Sequence, residues 1–218
     1  MIKKKTKRKD GTMYIIEKVY REDIINKILP YISKTSVTPN NVTVFNMLLG
    51  ILAIYLAYKG NLLYTAVLFQ IYELLDHLDG SLARYKHMMS SIGEKLDILS
   101  DTIFYNAIFI FIGWDRVSIY LISLLIITMN FYGIVTKYYI VPRLKKISNF
   151  KRFGIKKYFF NRGYILGMDL TLLGAITTIG LFLGKIKLIY IIVIFLYIVD
   201  IIYRMCELRY NEKIKIKL

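Results

Sequence analysis

The chain has 218 residues, 56% of them hydrophobic, and carries 31 Lys and Arg against 15 Asp and Glu for a formal net charge of +16. Its one cysteine, Cys206, excludes an intrachain disulfide and a Cys-rich zinc site. With only His77 and His87 beside it, a metal here would be held by carboxylates. The apolar residues come in blocks, so the basic charge reads as cytoplasmic loops of a membrane protein, and no nucleic-acid partner is expected.

The N-terminus from Met1 to Lys9 is basic with no apolar core behind it. It reads as part of a basic tail over residues 1–20 that touches anionic headgroups, not as a cleavable signal peptide. In Arg21–Ser33, Ile24, Ile25, Ile28 and Leu29 recur at helical spacing, which predicts a short amphipathic helix on the membrane surface. Pro39 then marks the start of a first span. Six stretches have the length and apolarity of membrane helices: 42–58, 62–82, 96–114, 117–141, 164–183 and 188–205. Tyr138, Tyr139 and Tyr158 fit interfacial aromatic belts. The expected fold is all-α and integral to the membrane: one domain over 21–208 with six transmembrane helices, an N-terminal amphipathic surface helix and a basic C-terminal tail over 209–218.

All Lys and Arg except Lys59, Arg116, Lys185 and Lys187 fall on one set of alternate loops and the two ends. This asymmetry predicts a multi-pass protein of the cell membrane with both termini cytoplasmic.

Ionised carboxylates within a bilayer are costly, so a cluster of them points to a function. Spans two and three contain Glu73, Asp76, Asp79, Asp97 and Asp101. Asp76 and Asp79 stand three apart, and Asp97 and Asp101 four apart, so each pair shares a helix face. Span two ends at the cytoplasmic side and span three begins there, so the four aspartates can meet at one depth near the cytoplasm. Two divalent cations would relieve their repulsion, and hard oxygen ligands suit Mg²⁺, Mn²⁺ or Ca²⁺. Gly80, Ala83 and Gly93 leave room for a ligand beside the acids, and Arg84 is a natural phosphate partner.

Written out, the segment is Asp76-x2-Asp79-Gly80-x2-Ala83-Arg84-x8-Gly93-x3-Asp97-x3-Asp101. It resembles, at every position, the signature of the CDP-alcohol phosphotransferase family. The segment Thr38-Pro39-Asn40-Asn41-Val42-Thr43 is similar to the one that opens the family's first span. The resemblance implies a phosphotransferase of phospholipid biosynthesis. A phosphatidyl-type group would pass from a CDP-linked lipid to the hydroxyl of a small polar acceptor, with release of CMP. It also implies two Mg²⁺ or Mn²⁺ ions. Asp76, Asp79 and Asp97 would hold one, and Asp76, Asp97 and Asp101 would hold or adjoin the other, with Asp101 the general base. Gly80, Ala83, Arg84 and Gly93 would line the nucleotide and diphosphate pocket, with Asn40, Thr43, and Ser90 or Ser91 as further contacts. A homodimer fits the family's habit.

The acceptor is less legible. Arg143 and Arg162 suit a phosphorylated alcohol, while Asp169, placed about one and a half turns into span five, suits hydroxyls or an amine. Serine, glycerol phosphate, inositol or its phosphate, and choline-type alcohols all remain open. Asp200 and Arg204 are expected to pair with each other. Two other readings compete. A membrane prenyltransferase also binds Mg²⁺-diphosphate through paired acids, but it gives no reason for Gly80-x2-Ala83-Arg84. A metal or ion transporter predicts acids spread through the membrane's depth rather than gathered at one face.

Overall fold

The computed structural model describes residues 12–147 and 150–216. A helix over 15–32 (α1), π-helical between Val19 and Ile25, precedes the bundle. The helices α2 (Pro39–Tyr58), α3 (Leu62–Tyr85), α4 (Ser91–Gly113), α5 (Ile119–Leu144), α6 (Gly154–Phe160), α7 (Leu170–Phe182) and α8 (Ile186–Ile216) follow. Local signals explain several of the starts. Thr38 and Ser90 are extended N-caps whose hydroxyls accept the amide N–H of Asn41 (3.2 Å) and Gly93 (3.0 Å), and Pro39 occupies the first turn, where no amide proton is needed.

Among the described residues, α2, α4, α5 and α8 are long and apolar enough to cross a membrane. The 24-residue α3 has the length, but it carries the acids. The fifth predicted span is shorter than expected. α7 has 13 residues, about 20 Å of helix at roughly 1.5 Å per residue. The cause lies in residues 164–169. Tyr164–Ile165 (β2) pairs in parallel with Met13–Tyr14 (β1), and Asp169 is extended, capping α7 through the Leu172 amide at 3.2 Å. Asp169 therefore stands at the mouth of α7 and not inside it. Order also extends past the predicted tails: residues 12–20 form β1 and the start of α1, and α8 continues through 209–216. The rest of the N-terminal tail lies outside the described residues.

The main core is aromatic. Between α3 and α4, Tyr72 stacks on Phe104 at 3.7 Å, and Phe69 packs against Phe104 and Tyr105. A smaller cluster buries Tyr20, Ile25 and Leu29 of α1 with Val42 and with Leu78 and Leu82 of α3. The predicted amphipathic helix thus turns its apolar face onto the bundle at the end of α3 that carries the acids.

On the other side, buried Asp200 of α8 gathers distant segments. It accepts from Lys156 of α6 (2.5 Å), Arg204 (2.7 Å), the Tyr132 hydroxyl of α5 (2.5 Å) and the Met168 amide (3.3 Å). The expected Asp200–Arg204 pair forms, and Lys156 joins it. Burial pushes the Lys156 ammonium below its ordinary value, with Asp200 pulling the other way. Asp200→Ala would remove the carboxylate that pairs with buried Lys156 and part-buried Arg204, and should destabilise the protein by roughly 3–5 kcal/mol. A fall in thermal midpoint in detergent checks this, and an unchanged midpoint refutes it.

Candidate active site

Two helices supply the acids. Asp76 and Asp79 lie in the last three turns of α3, and Asp97 and Asp101 in the first three turns of α4, on either side of the loop through Met88, Met89 and Ser90. One carboxylate oxygen from each of Asp76, Asp97 and Asp101 lies within 4.8 Å of the other two. Three of the four predicted ligands are therefore already gathered. Asp79 stands beside this triangle, buried, with Oδ2 accepting the Thr43 hydroxyl of α2 at 2.7 Å. This bond ties α2 to the acid-bearing turn of α3, as does the Asn46 amide, which donates to the Tyr72 carbonyl at 3.1 Å.

Neighbouring side chains orient the triangle. The Tyr72 hydroxyl donates to Asp101 Oδ1 at 3.0 Å and lies 3.0 Å from the Ser100 hydroxyl. His77 Nδ1 lies 3.3 Å from Asp76 Oδ2, and its ring meets Tyr20 of α1 edge-on at 5.6 Å. One turn further from the loop, the Tyr105 hydroxyl donates to Glu73. Sequence reasoning gave Tyr72, Ser100, His77 and Tyr105 no role. Helical periodicity offered a signal for two of them: Tyr72 is four residues before Asp76 and Tyr105 four after Asp101, so both fall on the acid-bearing faces.

A cavity of about 450 Å³ opens beside the acids, lined by Asp79 and Asp97. Asn40, Thr43, Gly80, Ala83, Arg84, Ser90, Ser91 and Gly93 also line it, as do the unpredicted Met88, Met89 and Glu94. Every residue expected in the nucleotide pocket is on this wall. A Cβ at 93 would lie 3.0 Å from Ser90 Oγ and 3.2 Å from Asn40 Oδ1, so a larger residue there would crowd the polar atoms that face the space. The Arg84 guanidinium donates to Ser81 at 3.3 Å from the cavity's edge.

The predicted acceptor residues are not brought together. Arg143 stacks on Tyr139 at 3.6 Å and Arg162 on Tyr158 at 3.5 Å. Asp169 instead lines a second cavity of about 670 Å³ between α5, α7 and α8, with Lys137, Lys145 and Thr136. The Thr136 hydroxyl there is buried without a partner.

The family model for CDP-alcohol phosphatidyltransferase matches residues 36–206. A phosphatidylinositol phosphate synthase of Corynebacterium glutamicum is 32% identical over 98 residues, 44% of this chain and 45% of that protein. An uncharacterised protein of Aquifex aeolicus is 31% identical over 84 residues, 38% of this chain and 43% of its own length. The chain thus spans less than half the length of the curated relatives it matches. Among solved structures, the fold is similar to that of phosphatidylinositol phosphate synthase (PgsA1) from Mycobacterium tuberculosis, solved with manganese and citrate. The TM-score is 0.58, with 16% identity over 85% of this chain and 88% of that one.

Thr43→Val removes the one hydroxyl bonded to the Asp79 carboxylate. It should destabilise the protein by about 1.5–3 kcal/mol, the range for hydrogen bonds to charged groups. Denaturation of the wild type and the variant in the same detergent measures it, and equal stabilities would show that Asp79 does not depend on this bond.

Proposed function

Because the chain belongs to the CDP-alcohol phosphatidyltransferase family, we propose that it transfers the phosphoalcohol group of a CDP-linked lipid to the hydroxyl of a small polar acceptor and releases CMP. One observation carries this reading. The triangle of Asp76, Asp97 and Asp101 adjoins a cavity walled by Arg84, Gly80, Ala83 and Gly93, so a diphosphate seated there would have its phosphorus beside the carboxylates.

Three carboxylate oxygens so close together fit hard divalent cations, and the relative solved with manganese supports the same choice. Asp76, Asp97 and Asp101, with Asp79 at their side, would hold two Mg²⁺ or Mn²⁺ ions, which when bound neutralise the diphosphate and stabilise the departing CMP phosphate. The remaining work falls to the chain. Arg84 binds the diphosphate, while Asn40, Thr43 and Ser90 are placed for the nucleotide. Asp101 has Oδ1 held by Tyr72, which leaves Oδ2 to take the acceptor's hydroxyl proton. The freed oxygen forms its bond to the β-phosphorus as the bond from that phosphorus to the CMP oxygen breaks. Asp101 keeps the proton until the product leaves.

Asp169 is the acceptor candidate that faces open space. The relatives named as phosphatidylinositol phosphate synthases favour a phosphorylated alcohol, for which Lys137 and Lys145 offer charge in the same cavity. Six spans, cytoplasmic termini and a cytoplasm-facing site complete the reading. The spans rest on the six apolar stretches and the orientation on the one-sided placement of Lys and Arg. A homodimer is proposed from the family alone.

Purified protein with Mg²⁺ or Mn²⁺, given CDP-diacylglycerol or CDP-archaeol and a panel of acceptors, should release CMP and form a lipid product readable by mass. EDTA should abolish this and added metal restore it. Asp101→Asn should lower turnover by about 10²–10⁴-fold with the fold retained. Failure of every CDP-lipid to yield CMP would overturn the reaction, and full turnover by Asp101→Asn would remove the base.

A further inference from the structure

Glu73 has no place in the reaction above, yet it is the most deeply buried acid of the bundle, with 0% of its surface exposed. It lies three residues before Asp76 on α3, so it sits one turn below that aspartate on the same face. Its partner Tyr105 lies four residues after Asp101 on α4, one turn below that acid. The Tyr105 hydroxyl donates to Glu73 Oε1 at 2.5 Å, while Oε2 is buried with no partner. α7 packs against α3 at this point: a Cβ on Gly174 would lie 3.0 Å from Glu73 Oε1, so a larger residue there would press on the carboxylate.

Aromatic rings keep α3 and α4 apart at this level. Tyr72, Phe104, Phe69 and Tyr105 fill the space between the helices. Ring contacts have preferred geometries, but they do not by themselves match the polar groups of one helix to those of the other. Directional bonds do, and the side-chain bonds here that join α3 to α4 come from adjacent positions: Tyr72 to Asp101 and Ser100, and Glu73 to Tyr105. The first involves an acid of the triangle itself. The second is free of the site and spans the same two helices one turn away.

We propose that Glu73 and Tyr105 are positioning residues, whose hydrogen bond locks the register of α3 against α4 and thereby sets the spacing of the Asp76–Asp97–Asp101 triangle above it. The proposal rests on the reading that this triangle holds a divalent cation. Residues that orient metal ligands from behind typically change metal affinity or activity by about 10–100-fold when altered.

The test titrates Mn²⁺ alone into the full-length protein in detergent, by the loss of the free-ion EPR signal, with thermal midpoints measured in parallel. Tyr105→Phe should weaken Mn²⁺ binding by about tenfold or more. Glu73→Gln keeps an acceptor for Tyr105 and should bind within about threefold of the wild type, well short of that range. Glu73→Met with Tyr105→Phe replaces both partners by apolar groups of similar shape, which should bring the thermal midpoint back to near the wild-type value. It should nevertheless retain the weak Mn²⁺ binding, because the tie is gone. Recovery of both stability and Mn²⁺ affinity in the double variant would mean that the pair serves packing only, and would overturn the proposal. Equal losses in Glu73→Gln and Tyr105→Phe would overturn it in favour of the charge on Glu73. Asp97→Asn separates this inference from its premise. Wild-type Mn²⁺ binding in that variant removes the metal site itself. Loss there, with wild-type binding in the double variant, removes only the positioning role.

Discussion

The fold is organised around a repulsion. Three carboxylate oxygens within 4.8 Å of one another, on two adjacent helices, would oppose each other by on the order of 3–4 kcal/mol per ionised pair at an effective dielectric near 20. Neither α3 nor α4 gains anything by bringing these acids together, so the rest of the bundle must hold them in place. It does so by directional bonds that converge on the two acid-bearing turns. Thr43 and Asn46 reach in from α2, Tyr72 links α3 to α4, and Tyr105 holds Glu73 below. The arrangement is one that a divalent cation would relax.

The same constraint explains why small residues surround the acids. The cavity beside Asp79 and Asp97 exists because Gly80, Ala83 and Gly93 present no bulk, and because the Ser90 cap turns the chain sharply into α4. Arg84 stands within the last turn of α3 and lines the cavity. The wall of this cavity thus combines carboxylates, one guanidinium, and hydroxyl and amide groups.

Away from the site, a second polar centre performs a structural task. Asp200 links α5, α6, α8 and the segment before α7 by four bonds. It thereby holds the approach to Asp169, and with it one wall of the larger cavity. The short α7 follows from the same region. The β1–β2 pairing and the Asp169 cap occupy residues that hydropathy alone assigns to a membrane helix.

The sequence by itself determined the helical class, the bounds of α2, α3 and α5 to within three residues, and the placement of acids, glycines and Arg84 at the facing ends of α3 and α4. Those features are written locally, in the spacing of acids along a helix, in runs of apolar residues, and in Thr38-Pro39 and Ser90 as helix starts. The lining of the cavity beside Asp79 and Asp97 was legible for the same reason, since its residues lie within two short segments. Tertiary structure alone decided that Asp79 pairs with Thr43 while the other three acids cluster, and that α1 packs onto α3. It also decided that Tyr72, Tyr105 and Glu73 support the acids. Each of these is a contact between residues far apart in the chain, and periodicity says which face a side chain occupies but not what that face will meet.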